Sequence, residues 1–530
     1  MKNKKSQQGH YTPNVQIHQL KLPLALETRI EPDSSLYTLV EITERLDYTP
    51  LEQEYKRLPS AREASPKQMF QLCMLGFMEG IYSTRKLEKS CKNDIRFMYL
   101  LDGKKAPDHN RFWHFIKKRL TDIVMQALQS QLVFYLEGAG ELDFQNVFID
   151  GTKIEANANK YSFVWRKSIN KYEQRLETKL GLALADIRSR YLTGLPDESD
   201  GASLLDFLNE QVQQQGVSFV HGRGKRKSQL QRDIENLSAL LQRQSKYHSY
   251  QKTFKGRNSF SKTDKEATFM RMKDDHMMNG QLKPGYNLQL AVEGEYIVGV
   301  TVSDHRNDQQ TLIPMLEHLE TSLHKTYANI VADSGYESEE NYAYLEQSRQ
   351  TPYIKPSNYE RSKKRTFKKN PFIKENMPYD PATDSYTCPA GDKLKARYTT
   401  KRTSITGYIS TVTCYEATAC NRCPLKPQCT RAKNNRKITV SKTFLRLRDE
   451  AKANITTEKG TALRLNRSIQ VEGAFGVLKQ DYGFRRYLRR GRNNVLKETL
   501  MYAFGYNINK FHNKKKRNFD GVIFHQLNLA

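Results

Sequence analysis

Two short apolar runs, each ending in an aspartate, constrain this chain more than any other feature. Val147-Phe148-Ile149 runs into Asp150, and Ile330-Val331-Ala332 runs into Asp333. Such runs, bounded by polar residues, read as strands buried on both faces of a sheet. A carboxylate at the end of one of them opens into a cleft, because an unpaired charge inside the core is costly. A third acid, Glu472, sits in a helical pattern, Val471-Glu472-Gly473-Ala474-Phe475.

The segments around the two aspartates follow an order. Residues 286–292 and 296–302, separated by Glu293-Gly294-Glu295, read as a hairpin. A helix through 312–319 precedes the Asp333 strand, and a helix from Ser338 and a short strand over 352–354 follow it. Strand with Asp, two antiparallel strands, helix, strand with Asp, helix, strand and a later helix with Glu is the order of a ribonuclease H-like fold. The fold class expected is α/β, with that core over 140–356 and 455–512.

Two insertions interrupt the core. Within 165–265, Leu176, Leu180, Ala183 and Ile187, then Leu230, Ile234, Leu237 and Leu241, repeat at three- and four-residue spacing. They predict a helical hairpin packed as an antiparallel coiled coil, which also offers a dimerisation surface. Residues 357–450 form a basic, Cys-rich subdomain, and 513–530 a basic tail.

Residues 1–135 read as a helical domain. Ser65-Pro66 is an N-cap and first-turn pair ahead of Met69, Leu72, Cys73, Leu75 and Phe77. A second helix follows Ser83 with Leu87 inward, and a third opens at Asp108. In the third, Phe112, Phe115, Ile116 and Leu120 form one stripe, with Arg111, His114, Lys117 and Lys118 off it. The composite resembles a helix-turn-helix unit with a basic last helix, which makes Arg111 and Lys117 candidates for DNA contact.

Charge points to the same partner. With 86 Lys+Arg against 58 Asp+Glu the net charge is +28, so a polyanion is expected. Basic clusters recur at 223–227, 361–369, 485–492 and 514–517. That spread favours a nucleic-acid track over one membrane-binding patch. No stretch approaches the roughly 18 apolar residues of a membrane span. The start, Met1 to Gln8, lacks the apolar core of a secretion signal. A soluble cytoplasmic protein, on the nucleoid when bound to DNA, is expected.

Three acids on three elements suit phosphodiester chemistry. Two divalent ions about 3.5–4 Å apart can stabilise the attacking and leaving oxygens together. Mg²⁺ (or Mn²⁺) takes carboxylate oxygens and keeps several waters, so Asp150, Asp333 and Glu472 suffice as ligands. Lys479, seven residues past Glu472, shares its helix face at 3.6 residues per turn and can hold a phosphate. Arg485, Arg486, Arg489 and Arg490 extend the basic surface. Tyr482, Phe484 and Tyr487, interleaved with them, are candidates for base stacking.

At these motifs the chain resembles a known family. Phe148-Ile149-Asp150-Gly151-Thr152, Ala332-Asp333-Ser334-Gly335-Tyr336 and Val471-Glu472-Gly473 through Lys479 look like the three acidic motifs of bacterial insertion-sequence DDE transposases. The branch it most resembles carries an InsH-like N-terminal domain. Ser83-Thr84-Arg85-Lys86-Leu87-Glu88, Pro107-Asp108-His109 and Gly285-Tyr286-Asn287-Leu288-Gln289 resemble that branch as well. The resemblance implies that Asp150, Asp333 and Glu472 bind the catalytic metals. It implies water attack at the transposon end, then attack of the freed 3′ hydroxyl on target DNA, without a covalent protein intermediate. Related signatures place Arg four and Tyr seven residues before the glutamate; this chain has Ser468 and Leu465 there, with Arg467 as the substitute.

Five of the seven cysteines lie within 388–429, which reads as a local metal site in a reduced compartment rather than a disulfide framework. Cys388, Cys420, Cys423 and Cys429 are candidates for tetrahedral Zn²⁺, with Cys414 a fifth. A short, basic, apolar-poor segment is expected to need metal in place of a core.

The leading reading is therefore a metal-dependent DNA transposase acting as a dimer or larger assembly on inverted-repeat ends. A catalytically silent DNA-binding descendant and an RNase H-like nuclease that cuts without joining are the alternatives. No His-x-His pair occurs among the twelve histidines, which disfavours replication-initiator chemistry.

Overall fold

A computed structural model describes residues 29–191, 200–222, 224–272 and 280–523. Met1 to Gln8, Arg223 of one basic cluster and the last seven residues of the tail lie outside the described residues. The chain divides into two compact units, Met1–Leu120 with Phe511–Asn518, and Thr121–Lys510 with Phe519–Ala530.

In the first unit, helix Pro66–Met78 opens on a capping box. Ser65 Oγ accepts from the Gln68 N–H at 3.2 Å, and Gln68 Oε1 accepts from the Ser65 N–H at 3.0 Å. This helix is apolar nearly all round and almost wholly buried. Helix Thr84–Asn93 lays Leu87 against Gly76, where an added Cβ would come within 2.3 Å of Leu87 Cδ2. Helix His109–His114, capped by Asp108, widens into a π turn at Phe115–Arg119. Its stripe of Phe112, Phe115, Ile116 and Leu120 is buried, as the spacing requires. On the other side Trp113 is 45% exposed beneath the Lys117 ammonium. Two ion pairs of the basic tail, Lys515–Glu41 and Lys516–Asp33, and the separate pair Arg111–Glu63 lie within this unit.

The second unit begins with helix Asp122–Gly138, which sequence reading placed with the N-terminal segment. Its Gln129 Nε2 donates to the Ile297 carbonyl at 3.0 Å, so the helix packs on the sheet. That sheet has six strands: β1 Asn146–Glu155, β2 Thr268–Arg271, β3 Leu282–Glu293, β4 Tyr296–Ser303, β5 Asn329–Ala332 and β6 Thr351–Ile354. The order is β2-β3-β1-β5-β6, with β4 also on β3. β3 runs antiparallel to β1 and β4, whereas β1, β5 and β6 are parallel. The β3–β4 hairpin turns on Gly294 (φ 56°) and Glu295 (φ 69°), both left-handed as a two-residue hairpin loop demands.

The insertions differ from expectation. Helices Arg166–Arg190 and Gln229–Phe254 are the expected antiparallel pair, but Gly201–Gln214 packs with them and adds Leu204 and Leu208 to their core. The element is a three-helix bundle rather than a hairpin, since two stripes of leucine leave a groove that a third amphipathic helix fills. The Cys-rich insertion builds a five-stranded antiparallel sheet between Tyr379 and Val440. Its core of Met377, Tyr386, Leu394, Tyr415, Ala417, Ile438 and Val440 corrects the expectation that this segment has none of its own. Strand alternation hides that core in a composition rich in lysine and arginine. Among the described residues no helix is long and apolar enough to cross a membrane.

Leu237 is fully buried at the centre of the bundle. Leu237→Ala is expected to cost about 2–5 kcal/mol. Hydrogen exchange should accelerate across Gln229–Phe254 and stay unchanged in β1.

Candidate active site

The parallel pairing of β1 with β5 ends at Ile149↔Ala332, so the next residues of the two strands are Asp150 and Asp333. Two carboxylates thus stand side by side at neighbouring strand ends. Asp150 is 8% exposed, and two donors offset its burial. The Gly151 N–H reaches Asp150 Oδ1 at 2.7 Å, and Arg467 Nη1 reaches Asp150 Oδ2 at 3.1 Å. Asp333 caps the turn Ser334–Tyr336, accepting from the Gly335 N–H at 2.7 Å.

The Asp333 carboxyl is held above its ordinary range, first by burial and next by the charge of Asp150. The Gly335 N–H and Arg467 act in the opposite direction, and Asp308 adds to the rise.

Asp308 is a site residue that sequence reading missed. It opens a 3₁₀ turn, Asp308–Gln310, between β4 and the next helix. Its Oδ1 accepts from Asn287 Nδ2 at 2.7 Å and Gln289 Nε2 at 3.1 Å. Its Oδ2 faces Gly335, where an added Cβ would lie 3.4 Å from Asp308 Oδ2 and 2.9 Å from Asp333 Oδ1. Nothing local marks Asp308 in the sequence, since it ends no apolar run; only the fold brings it here.

Arg467 arrives on a helical run, Glu458–Arg467, continued by a π turn at Ser468–Glu472, that crosses β5, β1 and β3. Gln470 and Val471 are buried on its inner face, and Gln470 Oε1 accepts from the Glu295 N–H at 3.1 Å. Glu472 is exposed on the outer face, and among the described residues it forms no three-ligand group with the two aspartates. Arg467, expected at DNA, is ion-paired to Asp150. Lys479 is half-buried farther along the run.

The arginine segment braces the end of β1. Arg490 Nε donates to the Asn157 carbonyl at 2.7 Å, and Arg486 Nη2 to that of Ala158 at 3.3 Å. Arg485 bonds Gln480, and Arg489 lies 3.9 Å from the buried Glu498. Arg485, Arg486 and Arg490 remain exposed beside the strand end. Phe484 and Tyr487 are buried, against the expectation of base stacking: they pack on each other, and Phe484 stacks on Tyr502 at 4.1 Å. Large rings next to arginines in sequence go inward when the segment itself is core.

Cys388, Cys420, Cys423 and Cys429 line one small pocket. Arg436 Nη1 lies 2.7 Å from Cys429 Sγ, and the Arg436 N–H donates to Cys420 Sγ at 3.4 Å. Cys414, the fifth candidate, is buried elsewhere on the strand Ile409–Glu416 and does not line this pocket. Among the described residues no three His, Cys, Asp or Glu already converge as ligands of one ion.

The donor set at Asp150 and Asp333 nevertheless fits a hard divalent cation. It consists of carboxylate oxygens, it carries like charges that a cation would relieve, and the side-chain-free Gly335 separates Asp333 from Asp308. Fold and site together define a mixed α/β protein with an acid pair suited to a divalent ion. Comparison with protein families then matches residues 387–512 to "Transposase DDE domain" and residues 24–118 to "Transposase domain (DUF772)". These two matches on one chain indicate an insertion-sequence DDE transposase. The first covers Glu472 and the four cysteines, and neither covers Asp150 or Asp333. Comparison with curated proteins and with solved structures returned no match.

A raised carboxyl has a definite sign in stability. The neutral form is favoured in the folded state, so stability is fully present below the ordinary Asp value of 3.8 and is lost as pH rises through the higher folded value. In metal-free protein, Asp333→Asn is expected to raise the melting temperature at pH 7, and the gain should vanish as pH falls below about 4. Thermal melts across pH 3–8 check both points.

Proposed function

We propose that the protein binds the terminal inverted repeats of an insertion sequence and cuts and joins DNA strands there, with Asp150, Asp333 and Glu472 as its metal-holding acids. The placement of Asp150 and Asp333 at adjacent ends of parallel strands carries this reading. The strand order β4-β3-β1-β5-β6, with β3 alone reversed, supports a ribonuclease H-like core.

Mg²⁺ or Mn²⁺ held there would stabilise charge on the attacking and leaving oxygens of an in-line displacement at phosphorus. The chain itself supplies the frame. β1 and β5 fix two carboxylates, and Arg467 neutralises one of them until the ion and DNA arrive. Glu472, five residues beyond Arg467 on the same helical run, completes the set once its exposed face turns to the sheet. Arg485, Arg486 and Arg490 carry the DNA backbone past the end of β1, with Lys479 at a phosphate. Arg111 and Lys117 in the helical unit read the element's end, and the active form is a homodimer or larger assembly.

A catalytically silent DNA-binding descendant is the second reading, favoured by one observation: Glu472 is exposed, and among the described residues it joins no group of three potential ligands with the aspartates. Cleavage and strand-transfer assays on end DNA separate the readings. Asp150→Ala, Asp333→Ala and Glu472→Ala are each expected to lower cleavage at least about 100-fold while end binding persists. Cleavage unchanged in Asp150→Ala sinks the enzyme reading. Cleavage without joining in the wild type points to a nuclease.

We also infer that Cys388, Cys420, Cys423 and Cys429 hold a structural Zn²⁺, supported by their shared pocket. Protein purified without chelator should carry about one zinc per chain. Cys420→Ser with Cys423→Ser should lose it and lower the melting temperature. Metal-free wild-type protein of unchanged stability excludes the site.

A further inference from the structure

The segment Gly285-Tyr286-Asn287-Leu288-Gln289 lies on β3 and has no role in the chemistry so far. Asn287 and Gln289 are buried on that strand, 1% and 0% exposed. An amide side chain this deep is costly unless its hydrogen bonds are made, and an apolar residue would fill the space without that demand. The amide of Gln289 is fully engaged. Its Nε2 donates to Asp308 Oδ1 at 3.1 Å and to Asn287 Oδ1 at 3.0 Å, and its Oε1 accepts from the Tyr336 hydroxyl.

These contacts reach both aspartates. Register sets Gln289 opposite Gly151, the residue after Asp150, and a Cβ on Gly151 would lie 2.1 Å from Gln289 Nε2 and 3.0 Å from Asp308 Oδ1. On the other side, Tyr336 is fully buried and closes the turn that Asp333 caps. One side chain therefore rests on the β1 backbone beside Asp150 and holds the turn of Asp333. A glutamine suits that place because it both donates and accepts, and it adds no further charge beside Asp308.

We propose that Gln289, with Tyr336 and Asp308, is a positioning unit that sets the separation of Asp150 and Asp333 and thereby the affinity of the site for a divalent ion. This rests on the reading that those two carboxylates hold the metal. Gly151 and Gly335 are the positions where the unit meets the main chain, and neither has room for a side chain.

The test is Mn²⁺ titration of the full chain without DNA, followed by electron paramagnetic resonance, beside the Mn²⁺ dependence of end cleavage. Tyr336→Phe deletes one oxygen and keeps the ring; Gln289→Glu keeps the shape and sets an acceptor against Asp308. Both are expected to raise half-saturating Mn²⁺ about tenfold in binding and cleavage, with excess Mn²⁺ restoring much of the activity. Tyr342→Phe, a buried tyrosine whose hydroxyl reaches the Ile354 carbonyl, is the packing control and should bind as wild type does. If Gln289→Glu does not fold, Tyr336→Phe still decides. Half-saturation in Tyr336→Phe equal to wild type overturns the positioning role. A wild-type chain that binds no Mn²⁺ and cleaves end DNA independently of Mn²⁺ overturns the metal reading itself.

Discussion

Two carboxylates at neighbouring ends of parallel strands repel one another, and much of the surrounding structure answers that repulsion. β1 and β5 cannot pair in this register without bringing Asp150 beside Asp333. The backbone N–H groups of Gly151 and Gly335 each bind one of them, and Arg467 brings a full positive charge to Asp150. Burial strengthens each of these terms, because a charge held away from water is screened less. The remaining imbalance is visible in Asp333, whose carboxyl stays above its ordinary range. A site left with such an imbalance favours a cation with more charge than one guanidinium can bring.

The helical run over the sheet adds a second constraint. Arg467 and Glu472 belong to one element, and its π turn at Ser468–Glu472 lies between their faces. π turns are frequent at functional positions, where one extra residue changes which side chains face inward. With Arg467 and Gln470 toward the sheet, Glu472 faces outward.

Much of the core was legible because local signals and the fold agree. Apolar runs ended by aspartate became β1 and β5, and Glu293-Gly294-Glu295 became a left-handed hairpin turn. Ser65, Ser83 and Asp108 stand at the helix starts that their positions announce. What stayed hidden depends on long-range packing. Asp308 and Gln289 join the site only through sheet register and a turn far along the chain. The third helix of the bundle was missed because its partners' stripes read as complete without it. Phe484 and Tyr487 lie among arginines and still face the core, and the Cys-rich segment makes a sheet from alternation that bulk composition conceals.

On this reading Asp150 and Asp333 are held as a cation site that Arg467 occupies provisionally. Crystals of the protein with end DNA and Mn²⁺, measured at the manganese absorption edge, test it most directly. The account predicts an anomalous peak between Asp150 and Asp333, the Arg467 contact with Asp150 broken, and Glu472 turned to the metal. Manganese absent from that position, with Arg467 still bonded to Asp150 and DNA in place, would contradict it.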